Sequence, residues 1–135
     1  MEHKKHSGKL RHILAAPFIW MPAFPLILLD IFLELYHRTC FPLYGITIVE
    51  RKKYIRIDRH KLQYLNMGEK VFCAYCGYAN GLLHYASVIA GETERYWCGI
   101  KHKQGDEFIA SPHHNDFLEY GDEETFKEKI VESAK

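Results

Sequence analysis

Residues 13–36, ILAAPFIWMPAFPLILLDIFLELY, form the most apolar stretch of the chain, and their character decides the fold of its first third. A helix that crosses ~30 Å of hydrocarbon needs about 20 apolar residues, and this stretch has that length. Three prolines interrupt its first half, and each one removes an amide donor and kinks or ends a helix. Asp30 and Glu34 interrupt its second half, where ionised carboxylates are costly in lipid. The pattern therefore argues against a straight crossing.

Basic residues flank the apolar stretch on both sides. Those before it are Lys4, Lys5, Lys9 and Arg11. More follow between residues 38 and 59, and basic flanks tend to stay on the cytoplasmic side of a membrane. We therefore predict a re-entrant or interfacial helical hairpin, with one helix over about residues 10–20 and a second from about Phe24 to His37. The alternative is a pair of soluble core helices with a polar stripe, and a signal peptide fits less well because the prolines break its apolar region.

The connector that follows, residues 45–66, combines basic charge with alternating apolar residues. Its sequence GITIVERKKYIRIDRHK (residues 45–61) predicts two short strands joined through ERKK. The side chains expected to bind anionic lipid headgroups are Arg51, Lys52, Lys53, Arg56 and Arg59. Each such residue contributes ~1 kcal/mol near an anionic surface. A solvated strand face is the alternative, and nucleic acid is disfavoured because no aromatic RNA-binding signature accompanies the charges.

The charge of this 135-residue chain is divided between its two halves. Residues 1–61 carry eleven Lys or Arg against five Asp or Glu, whereas residues 62–135 carry seven against twelve. Such a split favours an anionic surface as the partner of the first half. The four cysteines do not form a disulfide framework by their spacing, which favours a reducing compartment.

Four side chains of the second half have the spacing of a zinc module. They are Cys73, Cys76, Cys98 and His102, in the pattern Cys-x2-Cys-x21-Cys-x3-His. Two thiols two residues apart can face one ion, and a cysteine and histidine four residues apart share one face of a helix. Three thiolates and one imidazole match tetrahedral Zn²⁺, with iron as the alternative ion. A closed set of four protein ligands predicts a structural role.

Three further side chains lie near the later half of this set. Glu94 shares a helical face with Cys98 and His102, so it could orient the histidine from outside the ligand set. His113 and His114 are adjacent, so their side chains diverge unless the backbone is irregular. Either could replace His102 as the fourth ligand or join Asp116 in a second site. The alternative is a loop that packs on the metal module.

A redox function is the main competitor for the same cysteines. The sequence VFCAYCGYANGLLHY (residues 71–85) is similar to a strand followed by Cys-x-x-Cys at a helix start, as in glutaredoxins. A thioredoxin-like fold also needs a βαβ unit and a later cis-proline, and Pro112 is the sole proline after the motif. Buried, inert thiols are the third interpretation.

Three blocks of the chain resemble a group of small, uncharacterised bacterial proteins that associate with membranes. The blocks are FPLILLDIFLELYHR (residues 24–38), CAYCGYANGLLHYA (residues 73–86) and ERYWCGIKH (residues 94–102). The resemblance runs from about residue 20 to residue 121. It implies that the three blocks occur as one unit, and it transfers no catalytic residue.

Together these patterns predict an α+β, mainly α protein in three segments. Residues 1–44 form the membrane-associated hairpin, residues 45–66 the basic β connector, and residues 67–135 the metal-binding module with a closing helix capped by Asp122. The predicted function is a small monotopic accessory or scaffold protein on the cytoplasmic face of the inner membrane. Its partners would be anionic lipid and either a protein or a second copy of the chain. A membrane-surface thiol–disulfide oxidoreductase or an iron-site electron carrier is the alternative.

Overall fold

Helices and the loops between them make up the fold. This computed structural model describes residues 8–134, so the predicted basic flank at Lys4 and Lys5 lies outside the described residues. The α-helices are α1 (Lys9–Trp20), α2 (Ala23–Tyr44), α3 (Met67–Trp97) and α4 (Glu123–Ser133). Short 3-10 turns occur at Arg51–Lys53, Arg59–Lys61 and Pro112–Asp116.

The chain divides into two compact units. They are Met1–Leu83, called the N-terminal unit below, and His84–Lys135, called the C-terminal unit. The predicted division into residues 1–44, 45–66 and 67–135 followed sequence character alone, and it stays a prediction.

The predicted β connector is wrong, and with it the α+β class. Within residues 8–134 the structure contains no strand and no sheet, only an isolated bridge between Ile100 and Leu118. The connector is irregular, and several of its amides donate to groups outside any strand. The Val49 amide, for example, donates to Nε2 of His37 in α2 at 2.9 Å. Alternation indicates an extended backbone with one covered face, but here Ile48 and Ile57 of the pattern are exposed, and the connector contacts α3 around Ile55. The described chain is therefore all-α.

The predicted hairpin over the first two helices is also wrong. Met21 and Pro22, which separate α1 from α2, both have right-handed helical backbone angles (φ −56°, ψ −40° and φ −68°, ψ −14°). The chain therefore continues from α1 into α2 and does not reverse. Pro22 and Pro25 stand at the start of α2, where amide donors have no intrahelical partner, so both are tolerated there. The prolines thus interrupt the helix over two residues and do not turn it back.

The continuous segment of α1 and α2 is apolar and exposed. Leu10–Tyr44 is long and apolar enough to cross a membrane, with a mean hydropathy of 1.9 and none of its most apolar window buried. The exposed large side chains on it include Leu14, Phe18, Phe24, Ile31, Phe32 and Leu35. By length and composition this is a candidate membrane segment, a test that N-terminal signal sequences also pass.

The core of the N-terminal unit forms where α2, the connector and α3 meet. Phe41 of α2 and Leu82 of α3 are fully buried. The connector lies directly on the backbone of α3, because a Cβ at Gly81 would stand 2.8 Å from the Tyr54 carbonyl oxygen. A Cβ at Gly77 would likewise stand 3.0 Å from the Arg56 oxygen. Glycines one turn apart therefore provide the groove in which the connector packs.

Helix α3 is the longest helix of the described chain. Glu69 belongs to a capping box at its start, in which the Asn66 side chain accepts from the Glu69 amide and the Glu69 carboxylate accepts from the Asn66 amide, both at 2.9 Å. Gly91 lies within the helix. The helix ends where Gly99 adopts a left-handed φ of 60°.

The C-terminal unit has a small core and a capped closing helix. Tyr85, Ile89 and Phe117 are buried. Two hydrogen bonds form the isolated bridge. The Lys101 amide donates to the Leu118 oxygen, and the Leu118 amide donates to the Gly99 oxygen, both at 2.8 Å. Asp122 caps α4 by accepting from the Thr125 amide at 3.1 Å, which confirms the predicted cap.

Candidate metal centre

The carboxylate of Glu94 is the centre of an imidazole cluster in the C-terminal unit. Glu94 lies in the last turn of α3, and its carbonyl accepts from the amides of Cys98 and Gly99 at 2.8 and 2.9 Å. This left-handed cap ends the helix at Trp97, within one turn of Glu94. The Glu94 side chain consequently lies at the mouth of the loop that follows, where later residues of the chain can reach it.

Two adjacent histidines reach the same oxygen of Glu94. His113 Nε2 lies 2.9 Å from Glu94 Oε2, and His114 Nε2 lies 3.1 Å from it. Both belong to the 3-10 turn Pro112–Asp116, and their rings meet edge to face at 4.6 Å. Adjacent side chains usually diverge, and these two converge on Glu94 with the His113 ring packed at Gly91 and the His114 ring stacked on Phe117. Because a carboxylate only accepts, each of these bonds places a hydrogen on Nε2.

The third imidazole comes from the loop after α3. His102 Nε2 lies 4.0 Å from the other Glu94 oxygen, Oε1, and the His102 ring is 5.5 Å from that of His114. One nitrogen of His102, one of His114 and one oxygen of Glu94 all lie within 4.8 Å of one another. Glu94 therefore presents its two oxygens to different histidines.

The electrostatics keep Glu94 ionised. Its hydrogen bond with His113 lowers the pKa of the Glu94 carboxyl, partial burial opposes this, and the bond with His114 lowers it further. An ionised carboxylate is the form that binds a cation. The neighbouring side chains thus hold Glu94 in its metal-binding state at neutral pH.

Two residues outside the cluster fix its geometry. A Cβ at Gly91 would stand 2.9 Å from Cγ of His113, so the absence of a side chain there lets the imidazole lie against α3. Phe117 stacks on the His114 ring with centroids 5.1 Å apart and is itself buried. The guanidinium of Arg95 lies over the Phe117 ring, 5.8 Å from its centroid. The His113 and His114 rings are therefore held by packing as well as by Glu94.

A buried nitrogen tests whether the cluster fits a metal ion. His114 is 6% exposed, and its Nδ1 has no hydrogen-bond partner. A buried polar atom without a partner is costly and usually indicates a water molecule or an ion. Imidazole nitrogen and carboxylate oxygen are both zinc ligands, so the donor chemistry fits as well.

The cysteines of the predicted zinc module lie elsewhere. Cys73 and Cys76 are on α3 within the N-terminal unit, whereas Cys98 and His102 follow α3 in the C-terminal unit. Within residues 8–134, the group of His, Cys, Asp and Glu side chains with metal-site geometry contains no cysteine. The structure thus places His102 with Glu94 and His114, and the Cys3His set stays a prediction.

The Cys-x-x-Cys motif does not have the strand-then-helix position expected for a redox site. In the predicted arrangement Cys73 follows a strand and begins a helix, but here it is the seventh residue of α3. Both thiols are free, and a helical turn separates their Cβ atoms by about 5–6 Å, wider than the 3.5–4.5 Å of a disulfide. The interior of a regular helix is therefore a poor site for a reversible Cys73–Cys76 disulfide.

The basic residues predicted to bind headgroups have two different environments. Lys52, Lys53, Arg56 and Arg59 are exposed, and Lys53 pairs with Glu50 at 3.1 Å. Arg51 instead is half-buried and binds Asp30 through both terminal nitrogens, one of them at 2.7 Å. Its side chain is therefore engaged within the protein.

Arg51 belongs to a polar cluster in the N-terminal unit. Besides Asp30, it contacts Glu34 at 3.3 Å, and the Tyr78 hydroxyl donates to Asp30 at 2.8 Å. The bond with Asp30 raises the pKa of the Arg51 guanidinium above its ordinary value. Burial, assisted by the bond to Asp30, raises the pKa of Tyr78 to about 12. The cluster joins α2, the connector and α3.

The sequence indicated every member of the cluster around Glu94 but not their grouping. Glu94 was predicted to orient His102, and His113 and His114 were predicted as alternatives to His102 or as part of a second site with Asp116. The contacts of Gly91 and Phe117 with these histidines were not predicted. A signal was present, since a glycine three residues before Glu94 in a long helix indicates a close contact on that face.

Comparisons with other proteins give no independent guide to function. No protein-family model, no curated protein and no solved structure matches this chain. The resemblance to a group of bacterial membrane-associated proteins stays a hypothesis, and the function has to be inferred from the residues themselves.

Proposed function

We propose that this chain is a membrane-associated protein whose C-terminal unit binds one divalent transition-metal ion through Glu94, His102 and His114. The convergence of three ligand atoms within 4.8 Å carries the proposal. Around an ion bound at about 2.1 Å, tetrahedral ligand atoms are separated by roughly 3.4 Å. Movements of about 1 Å by these side chains would therefore bring all three ligand atoms to bonding distance from one ion.

The donor chemistry favours zinc, with iron as the alternative. Two imidazoles and one carboxylate are the protein ligands of many zinc enzymes. The same set binds Fe²⁺ in non-haem oxygenases, so the ligands alone do not choose the metal. Zinc is favoured because it accepts four-coordinate geometry and needs no redox partner. Metal binding would also add folding free energy to a unit whose core is small.

The apolar segment of α1 and α2 supports a membrane location. Its exposed large side chains have no counterpart in an ordinary soluble surface, where apolar patches are limited to a few hundred Å². The exposed Lys52, Arg56 and Arg59 of the connector would contact anionic headgroups. We place the protein on the cytoplasmic face of the inner membrane, as a peripheral or monotopic protein. There it would act as an accessory or scaffold for a protein partner or a second copy.

Metal quantitation on the full chain in detergent tests the metal site. The wild type should retain about one zinc or iron per chain after dialysis, and Glu94→Gln should lose it. His60→Gln removes an exposed imidazole far along the sequence from the cluster and should retain the metal. A wild type without metal, or a Glu94→Gln variant with full occupancy, would reject the proposal.

A serine variant separates the two ligand hypotheses. Under the present proposal Cys98→Ser keeps its metal, because Cys98 is exposed and outside the ligand group. Under the Cys3His hypothesis this variant loses the metal, as does the pair Cys73→Ser and Cys76→Ser.

Flotation with lipid vesicles tests the membrane location. Full-length protein should float with vesicles that contain anionic lipid and less with zwitterionic ones. Replacing Lys52, Arg56 and Arg59 by Gln should reduce flotation with anionic vesicles only. Protein that remains in the soluble fraction with both vesicle types would contradict this location.

A further inference from the structure

We infer that the proposed ion keeps an exchangeable coordination position beside His102, and that this position takes an anionic oxygen ligand such as a carboxylate or a phosphate group. The inference rests on the proposed metal site. It replaces the closed, structural site expected from the sequence by an open one.

The number of protein ligands leaves room for an external one. The group contains Glu94, His102 and His114, and zinc in proteins has at least four ligands. His113 is the nearest further imidazole, but it is not among the side chains whose ligand atoms converge, and its ring contacts Glu94 Oε2 at 2.9 Å. Its ring is held in that place against α3 at Gly91. His113 therefore positions the carboxylate, and the fourth ligand has to come from solution.

The exposure of the cluster shows which side is open. The His114 side chain is 7% exposed, that of Glu94 30%, and that of His102 63%. Helix α3 and the 3-10 turn with Phe117 enclose the His114 side. Solvent reaches the ion along His102, so the external ligand enters there.

The charge of the site favours an anion. A divalent ion bound by one carboxylate and neutral imidazoles retains one positive charge. Lys101 and Lys103 flank His102 in the sequence, Lys101 is paired with Glu119, and Lys103 is exposed. An anionic oxygen ligand neutralises the site, and an ion that binds such a ligand polarises it. Carboxylates and phosphates are therefore the ligand class that this position fits.

Cobalt substitution tests the inference directly. The full chain in detergent is loaded with Co²⁺, whose visible absorption depends on the number and kind of its ligands. Acetate and inorganic phosphate are titrated in separate arms, with perchlorate at equal ionic strength as the control for salt. We expect saturable changes of the cobalt band with acetate or phosphate and none with perchlorate. His60→Gln should behave as the wild type.

Failure of this inference differs from failure of the metal site. A cobalt spectrum that neither anion changes, or an intense thiolate-to-cobalt charge-transfer band, means that protein ligands close the site and overturns the inference while a metal site remains. Absence of cobalt binding overturns the metal site and this inference together.

Discussion

Each unit of the chain holds one carboxylate at the centre of a polar cluster, and the two clusters differ in how the negative charge is balanced. In the N-terminal unit, Asp30 is bound by the guanidinium of Arg51 and by the Tyr78 hydroxyl. In the C-terminal unit, Glu94 is bound by His113 and His114, which carry no permanent charge. The first cluster contains its own cation, whereas the second consists of a carboxylate and imidazoles, three of which are the ligands proposed above for a metal ion.

This difference explains why similar residue types have different consequences. A carboxylate with a built-in bidentate arginine has its charge and its lone pairs satisfied, so the cluster contributes to folding. A carboxylate among imidazoles, one of which has a buried nitrogen without a partner, is better satisfied by an external cation. Functional sites are therefore to be sought among polar clusters that the chain leaves incomplete.

Replacing Arg51 by Met should have the largest effect, because it removes the cation of the complete cluster. Asp30 would be left partly buried without its charged partner, and we expect the free energy of unfolding to fall by about 3 kcal/mol. Chemical denaturation in detergent measures it. Adding Asp30→Asn to this variant should recover part of the loss, since no unpaired charge then remains.

Lys53→Met is the matched control for this change. Lys53 pairs with Glu50, but both side chains are about two-thirds exposed, so the loss should stay below about 0.5 kcal/mol. Equal losses for Arg51→Met and Lys53→Met would contradict the distinction between a built-in cation and a surface pair.

Adding zinc should stabilise the incomplete cluster by a comparable amount. At a free zinc concentration 100 times the dissociation constant, a site in the folded state adds about 2.7 kcal/mol to the free energy of unfolding. Unfolding followed with zinc and with a chelator measures this difference, and Glu94→Gln should abolish it. A stabilisation that survives in Glu94→Gln would place the ion elsewhere and break the comparison.

Gly91→Ala should weaken the metal site without removing a ligand. The new Cβ would stand 2.9 Å from His113 Cγ, so the ring must move and Glu94 loses part of its orientation. Changes in such supporting contacts cost about 10–100-fold in metal affinity, and we expect a value near the lower end. Competition with a colorimetric chelator measures it. Gly105→Ala, with no atom within 4 Å of its Cβ, is the control, and equal affinities in both variants would show that His113 does not position Glu94.

The sequence predicted single elements of the fold better than their connections. Helix α1 and the capped α4 were expected, because each depends on local spacing. The path between α1 and α2 was not, because prolines are compatible with both a kink and a turn. The connector was mistaken for strands because alternation indicates an extended backbone but does not reveal that this segment packs on α3 at Gly81.

The site was predicted residue by residue but not as a group. Cys-x-x-Cys dominated the interpretation because its spacing is a familiar ligand pattern, and spacing cannot reveal that one long helix carries both cysteines into the other unit. The approach of His113 and His114 to one oxygen is accompanied by packing against Gly91 and Phe117, which adjacent histidines alone do not predict. Likewise, Arg51 was assigned to lipid because its partner Asp30 lies 21 positions away in the chain.

The smallest expected effect concerns the ionisation of Tyr78, which tests the hydrogen bond between Tyr78 and Asp30 in the N-terminal unit. Burial and the bond to Asp30 raise the pKa of Tyr78 to about 12, whereas an ordinary tyrosine has a pKa of about 10. Because the folded pKa is the higher one, this contribution to stability is fully present below pH ~10 and is lost as the pH rises towards 12. The tyrosinate absorbance of the wild type minus that of Tyr78→Phe should therefore appear near pH 12. A difference that appears near pH 10 would mean that Tyr78 does not donate to Asp30 in solution, and that Arg51 alone completes the cluster.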